Sequence, residues 1–215
     1  MLVHDWMTKN PITVEADTPF LEARLILKDK RIRHLPVVQR GMLVGVVTDR
    51  DLKEAAPSGA STLDVYEMNY LLLKVTIREL IKRDPITIGP DEPVERAARL
   101  MHDQKIGCLP VVDAGGQLVG LITETDMLAA MVEILGYDGE GARIAFEIPE
   151  GPGACEELAH LLHDHQMDIR SLLTCPIHGR PGYREFVLHV RGDNVDALVR
   201  ELQAKFGQSV TVQRH

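Results

Sequence analysis

Apolar residues in the first fifty positions fall into short runs whose period changes from two to 3.6 and back. Ile12 to Val14 is a short β-branched stretch. Asp17 and Thr18 with Pro19 make a helix start, a capping residue followed by proline in the first turn. Behind them Leu21, Leu25, Ile26 and the spacing of Ala23 to Leu27 give an apolar face at helical period. Leu35 to Val38 and Leu43 to Val47 are valine-rich runs split by Gln39, Arg40 and Gly41, which reads as a hairpin. A second helix starts at Asp49. The unit is strand, helix, strand, strand, helix, and roughly fifty residues alone bury too little surface to be comfortable.

The same order recurs. A shift of 74 residues lays Met7 on Ile81, Pro11 on Pro85, Asp17 on Asp91, Pro19 on Pro93 and Pro36 on Pro110. One extra residue in the second turn, Asp113 to Gly116, makes the shift 75, and LVGVVTDRDL falls on LVGLITETDML, matching Gly45 with Gly120, Thr48 with Thr123 and Asp51 with Asp126. The second copy's last helix runs from Glu124 through Leu135. Self-similarity at fixed spacing signals a duplicated structural unit, and two copies packed sheet to sheet would complete a core. Residues 1–53 form repeat one and 75–135 repeat two; 54–74 is an insert of loop plus helix, Leu63 to Leu73, whose apolar face of Tyr66, Tyr70, Leu71 and Leu73 can cover a partner.

Past a glycine-rich linker at 136–141 the pattern changes. Ala142 to Ile148 alternates as a strand, and Gly153 to Gln166 carries Leu158, Leu161 and Leu162 at helical spacing. Asp168 to Ile177 and Arg184 to Val190 alternate again, Asp193 can cap a helix bearing Val195, Leu198, Val199 and Leu202, and Val210 to Gln213 closes the chain. The order of residues 142–215 is βαββαβ, so the whole chain is of α/β (α+β) class.

Composition narrows the function. The 215 residues are 45% hydrophobic and 26% charged, with mean hydropathy −0.06, at globular averages. Thirty-two acidic against 24 basic residues give a net charge of −8, which argues against generic nucleic-acid binding. Cys108, Cys155 and Cys175 stand in no C-x-x-C spacing, in apolar or helical contexts that suit reduced core thiols and a cytoplasmic location. The first ten residues lack a signal peptide's apolar stretch, and no stretch approaches the roughly 18 apolar residues of a membrane helix, so no membrane partner is expected.

Each copy resembles a CBS domain, carried by the L-P-V-V run and the G-x-x-T-x-x-D run that occur twice at the same relative spacing, and residues 1 to about 135 look like a two-copy CBS module. The tail resembles an ACT domain, with Pro149-Glu150-Gly151-Pro152-Gly153 at its glycine-containing turn; a generic ferredoxin-like fold is the alternative. The arrangement is similar to the acetoin-utilisation AcuB-type proteins, although no residue speaks for acetoin chemistry.

Thr48 and Asp51 follow an apolar strand at the mouth of a helix, where free N–H groups suit phosphate and a carboxylate can hold a ribose. The alternative is that they cap the helix. The resemblance implies phosphate and ribose contacts of an adenosyl ligand at Thr48, Asp51, Thr123 and Asp126, and an adenine slot from Thr13, Thr18, Ala23, Ile32 and Arg33 in copy one and Thr87, Ala97 and Ile106 in copy two. Glu92 replaces Thr18 in the second copy. Arg31, Arg33, His34 and Arg50 surround the first motif, whereas the second has Lys105, Gly107, Cys108, Glu124 and Thr125. Copy one is therefore expected to prefer a phosphorylated adenosine such as AMP, ADP or ATP, and copy two a less anionic ligand or none; a solvated arginine face is the alternative.

His160, His163 and His165 share the predicted tail helix, but His165 is out of phase with His160 for a shared metal, and the surface is the expected place for these histidines, His178 and His189. No nucleophile elbow, phosphate loop or Rossmann glycine pattern is present. The expectation is a non-catalytic allosteric sensor with no required cofactor, an adenosyl nucleotide as regulatory ligand, an amino acid possible at the tail, a regulated partner enzyme, and a homodimer that the apolar first segment with Trp6 can help form. Its rivals are a small metal-dependent enzyme using the tail histidines and a structural dimerisation module with degenerate clefts.

Overall fold

The computed structural model describes residues 1–55, 74–81, 84–136 and 140–214, apart from the side chains of residues 154 and 208. The insert helix expected at Leu63 to Leu73 and its apolar face lie outside these residues, as do positions 137–139 of the expected linker. The chain divides into two compact units, Met1–Leu128 and Ala129–His215.

In the first unit a short helix, α1 (Val3–Trp6), leads into β1 (Thr8–Lys9), β2 (Val14–Glu15), α2 (Phe20–Lys30), β3 (His34–Gln39), β4 (Met42–Thr48) and α3 (Asp49–Ala55). A 3-10 turn at Ile77–Leu80 precedes α4 (Val94–Gln104), β5 (Cys108–Val112), β6 (Leu118–Thr123) and the first turn of α5 (Glu124–Ile134). The valine-rich runs pair as hairpins: β3 lies antiparallel to β4, Leu35 opposite Val47, and β5 to β6, Leu109 opposite Ile122. β2 lies parallel to β3, and Ile88 makes the equivalent parallel bridge to Val111 in the second copy.

Two local expectations are corrected. The strand expected at Ile12 to Val14 is β2, Val14–Glu15, which leaves Ile12 at the surface. Neither Asp17 nor Thr18 caps α2. Pro19 holds the cap position with extended backbone (φ −61°, ψ 143°) and no side-chain cap bond. Asp17 instead accepts from the Arg78 guanidinium at 3.0 and 3.1 Å, and the Thr18 carbonyl accepts from Ile77 N–H.

The repeats exchange their leading segments, so neither copy's core is built from its own residues alone. Val3 N–H donates to the Glu92 carbonyl at 2.9 Å, and Ile77 N–H donates to the Thr18 carbonyl at 3.0 Å. Leu2 bridges Pro93 and Thr76 bridges Pro19, the same pair of contacts one repeat apart. β1 joins β6, giving a sheet ordered β1-β6-β5 beside β2-β3-β4. Val3, fully buried, therefore sits in the second repeat's core with Ala97, Leu109 and Ile122, with Trp6 and Met7 packed against it. Ile77, Val75 and Leu80 complete the first repeat's core around Phe20, Leu35 and Val47. Val3 of the apolar first segment is thus buried inside its own chain, and burying a valine side chain is worth about 1.5–3 kcal/mol, while Trp6 stays half-buried.

The second unit has β7 (Ala142–Pro149), α6 (Ala154–Asp164), β8 (Asp168–Pro176), β9 (Tyr183–Arg191), α7 (Val195–Phe206) and β10 (Thr211–Arg214), the βαββαβ order the periodicity predicts. Its antiparallel sheet runs β10-β7-β9-β8. Ile144, Phe146 and Leu188 meet Leu158, Leu162, Leu198 and Leu202 of the two helices. The cap of α7 is Asn194 rather than Asp193, with no side-chain bond. Of the cysteines, only Cys108 is a core thiol; Cys155 and Cys175 are exposed, and all three are free.

Candidate functional site

Thr48 closes β4 and Thr123 closes β6, each in the cap position of the helix that follows. Asp51 Oδ2 accepts from Thr48 N–H at 2.9 Å and from its hydroxyl at 2.6 Å, while Asp51 N–H donates to Thr48 Oγ1 at 3.2 Å. Thr123 and Asp126 repeat the arrangement at 2.7, 2.7 and 3.4 Å. This is a reciprocal capping box, so capping is present in both copies. Each threonine hydroxyl is engaged with the aspartate of its own pair.

Capping does not remove these pairs from solvent. Both line cavities within the first unit, one of about 530 Å³ at Thr48 and Asp51 and one of about 320 Å³ at Thr123 and Asp126. The first is completed by Ile86, Lys105, Ile106 and Gly107 of the second repeat. The second is completed by Asn10, Ile12, Arg31 and Ile32 of the first repeat. Each cleft thus takes its Thr–Asp pair from one repeat and its apolar wall from the other.

That crossing changes the grouping expected from sequence. Ile32 and Arg33 join Thr123 and Asp126, and Ile106 joins Thr48, Arg50 and Asp51. Ala23 and Ala97 are fully buried in the two cores. Thr13, Thr18 and Thr87 line neither cleft; Thr87 borders a separate depression with Asp91 and Glu92. Ile12 and Ile86 were missed, although Asn10-Pro11-Ile12-Thr13 and Asp84-Pro85-Ile86-Thr87 repeat at the common spacing and could have marked them.

The cations expected around the first motif are also apportioned differently. Arg31 lines the Asp126 cleft, and Arg33 Nη2 donates to Thr125 Oγ1 at 2.9 Å, on the first turn of α5. Arg31 and Lys105 both hold left-handed backbone, φ 54° and 55°, just past their helices. Glycine or asparagine is favoured there, yet both repeats carry a basic side chain that lines a cleft. Among the described residues the Asp126 cleft has Arg31 and Arg33 beside one carboxylate. The Asp51 cleft has Arg33, Arg50 and Lys105 beside Asp49, Asp51, Asp84 and Glu124.

His34 reaches into both clefts. Burial, then the Arg33 charge, pushes its pKa below 6.5 against the opposing pull of Glu124, Asp126 and Asp51. Burial, with Glu124 adding, pushes the Cys108 thiol up to about 12, so it stays neutral on the wall of the Asp51 cleft.

In the second unit the loop between β7 and α6 borders a cavity of about 560 Å³ with Glu150, Glu156 and His160 on its wall. His189 is buried rather than on the surface, with Ser171 Oγ 3.3 Å from its Nδ1, and His165 is held at 2.7 Å by Glu201. Among the described residues no group of three or more metal-capable side chains occurs, and no helix is long and apolar enough to cross a membrane.

A duplicated module with paired, ligand-sized clefts is a binding architecture. The CBS domain family model matches residues 3–58 and 77–133, and the chain belongs to the CBS-domain family. A CBS domain-containing protein of Dictyostelium discoideum is 35% identical over 136 residues, 63% of this chain and 94% of its own. The CBS domain pair of protein MJ0100, solved with 5′-methylthioadenosine and S-adenosyl-L-methionine, is 35% identical, covers 61% of this chain and 99% of its own, and superposes with TM-score 0.51. CBSX2 in complex with AMP is 32% identical over 62% of this chain and 97% of its own, with TM-score 0.51. An acetoin utilization protein (AcuB) from Vibrio cholerae is 31% identical over 63% of this chain and 93% of its own, with TM-score 0.52. In other curated relatives the shared region is a small part of a longer enzyme, 22% of L-aspartate semialdehyde sulfurtransferase of Methanocaldococcus jannaschii.

Proposed function

We propose that this protein is a regulatory sensor whose CBS pair binds an adenosyl nucleotide, with AMP, ADP or ATP as the candidates, and passes occupancy to the second unit or to a partner enzyme. The observation that carries the reading is the twofold recurrence of a Thr–Asp capping pair facing an isoleucine-lined wall across a cavity within the range of small-ligand sites, about 300–1,000 Å³. The carboxylate can accept from a ribose diol, Ile12 and Ile32 or Ile86 and Ile106 can flank adenine, and the arginines can meet phosphate. The AMP, methylthioadenosine and S-adenosylmethionine complexes of the related pairs support the same ligand class.

The crossed clefts alter the expected preference. The more phosphorylated ligand suits the Asp126 cleft, where Arg31 and Arg33 oppose one carboxylate among the described residues and the first turn of α5 adds its N-terminal dipole. The Asp51 cleft, richer in carboxylates, suits a less anionic adenosyl ligand. For the second unit an ACT-like role is proposed: its βαββαβ order and the glycine-containing loop beside Glu150 are consistent with holding an amino acid or with joining two chains.

Titrating AMP, ADP, ATP, S-adenosylmethionine and NAD by calorimetry and thermal shift tests the sensor. Saturable binding, with stabilisation that grows with ligand concentration as mass action requires, is expected for at least one phosphorylated adenosine. Silence from the whole panel overturns the reading.

A further inference from the structure

The two clefts share a wall, and that wall is chemically lopsided. Arg33 and His34 line both cavities, while the matching positions of the second repeat are Gly107 and Cys108. The asymmetry is steric: a Cβ placed on Gly107 would stand 3.1 Å from His34 Nε2 and 3.5 Å from Glu124 Oε2. The imidazole therefore lies across the second repeat's backbone, between the clefts.

The charges facing it come from every element that meets there. Asp51 approaches from α3, Glu124 and Asp126 from the first turn of α5, and Arg33 from the start of its own strand. Arg50, Asp49, Asp84 and Lys105 complete the charged lining of one cavity, and Arg31 that of the other. Cys108 contributes no charge. Without ligand, burial and Arg33 hold the ring neutral at neutral pH. A phosphate in either cleft adds negative charge to a cavity that the ring lines, which favours the imidazolium.

We infer that His34 is a proton-dependent specificity residue common to both clefts: entry of a phosphorylated adenosyl ligand into either one charges the ring, and the other cleft then faces a cation. This rests on the sensor reading above. It has a distinctive stoichiometry, because one ring serves two sites. Filling both clefts takes up at most one proton per chain at His34, and the ligand that binds second meets a ring already charged. Uncharged adenosine draws no proton.

The test is calorimetry of AMP and adenosine in buffers of different ionisation enthalpy, from pH 6 to 8. Because the AMP phosphate also titrates near pH 6, uptake at His34 is read as the difference between wild type and the His34 variants: wild type should take up more protons with AMP than they do, by no more than one per chain at saturation. His34→Asn and His34→Gln, each checked by melting temperature, should bind AMP more weakly, without that excess. A third variant, Gly107→Ala, presses on the ring without removing it and should reduce uptake while leaving a titrating histidine. AMP binding with the same net proton uptake in wild type and in the folded His34 variants overturns the inference. Absence of any AMP isotherm is a different result, which overturns the sensor reading and this inference with it.

Discussion

Asp126→Asn separates a cap from a ligand contact. The substitution keeps the side chain's shape and removes its charge. Oδ2 now accepts two bonds of 2.7 Å from Thr123; the asparagine oxygen can accept the same pair as a neutral group. Bonds to charged groups are worth about 1.5–3 kcal/mol and neutral ones about 0.5–1.5, so the helix start weakens by about 1 kcal/mol, and melting falls by about 2–4 °C. The ligand loses more. The carboxylate's second oxygen, the acceptor proposed for a ribose diol, becomes an NH₂ donor, and losing a charge-assisted contact of about 1.5–3 kcal/mol weakens AMP roughly ten- to a hundredfold. Calorimetry at one pH and salt, with Asp51→Asn alongside, reads both clefts. If Asp126→Asn melts a few degrees lower and still binds AMP within twofold of wild type, the aspartate is a cap only and the ribose argument fails.

Three further outcomes follow from the same structure. Cys155 and Cys175 should react with iodoacetamide in the native protein at pH 8, whereas Cys108, with its thiol near pKa 12, should react only on unfolding; mass spectrometry of labelled peptides counts them. His34 titrates below 6.5 when folded, so at pH values between its folded pKa and 6.5 the unfolded chain binds more protons and stability rises with pH. Urea midpoints from pH 5 to 7 should show that slope, and His34→Asn should flatten it. Val3→Ala should cost about 2 kcal/mol, two methyl groups plus a cavity, and hydrogen exchange should quicken in β5 and β6 before β3 and β4 although residue 3 precedes repeat one.

Much of this fold was legible because its signals are local or duplicated. Continuous valine-rich runs located β3 to β6, and alternating runs β7 to β9, within a residue or two. The doubled Thr–Asp spacing likewise located both capping pairs at the helix starts. What escaped was non-local. A two-residue strand such as Thr8–Lys9 carries no pattern saying which sheet it joins, and it joined β6. Nor could spacing reveal that Ile32 faces Thr123 rather than Thr48, because a repeat in sequence says nothing of which copy supplies the opposite wall. The alanines were misplaced for a related reason: a small residue at helical period serves a slot or a tight core equally well, and full burial of Ala23 and Ala97 shows the core.

The exchange of leading segments and the crossing of the clefts have one physical origin and one consequence. Because Val3 completes the core around Leu109, and Ile77 the core around Leu35, neither repeat can loosen without disturbing the segment that packs into the other. At Gly120 and Gly45 those segments leave no room for a side chain. A Cβ on Gly45 would stand 2.8 Å from Ile81 Cγ2, and one on Gly120 would meet Met7 at contact distance or less. Each lead-in then continues into a cleft wall, Met7 toward Asn10 and Ile12, and Ile81 toward Asp84 and Ile86. In the proposed sensor, a nucleotide against Ile12 would act on a segment anchored in the second core, and one against Ile86 on a segment anchored in the first. Such a ligand can bias the packing of the two repeats by as much as its affinity differs between their arrangements, and by no more. The protein needs no moving lid for this, only that the walls of its clefts and the keystones of its cores belong to the same short stretches of chain.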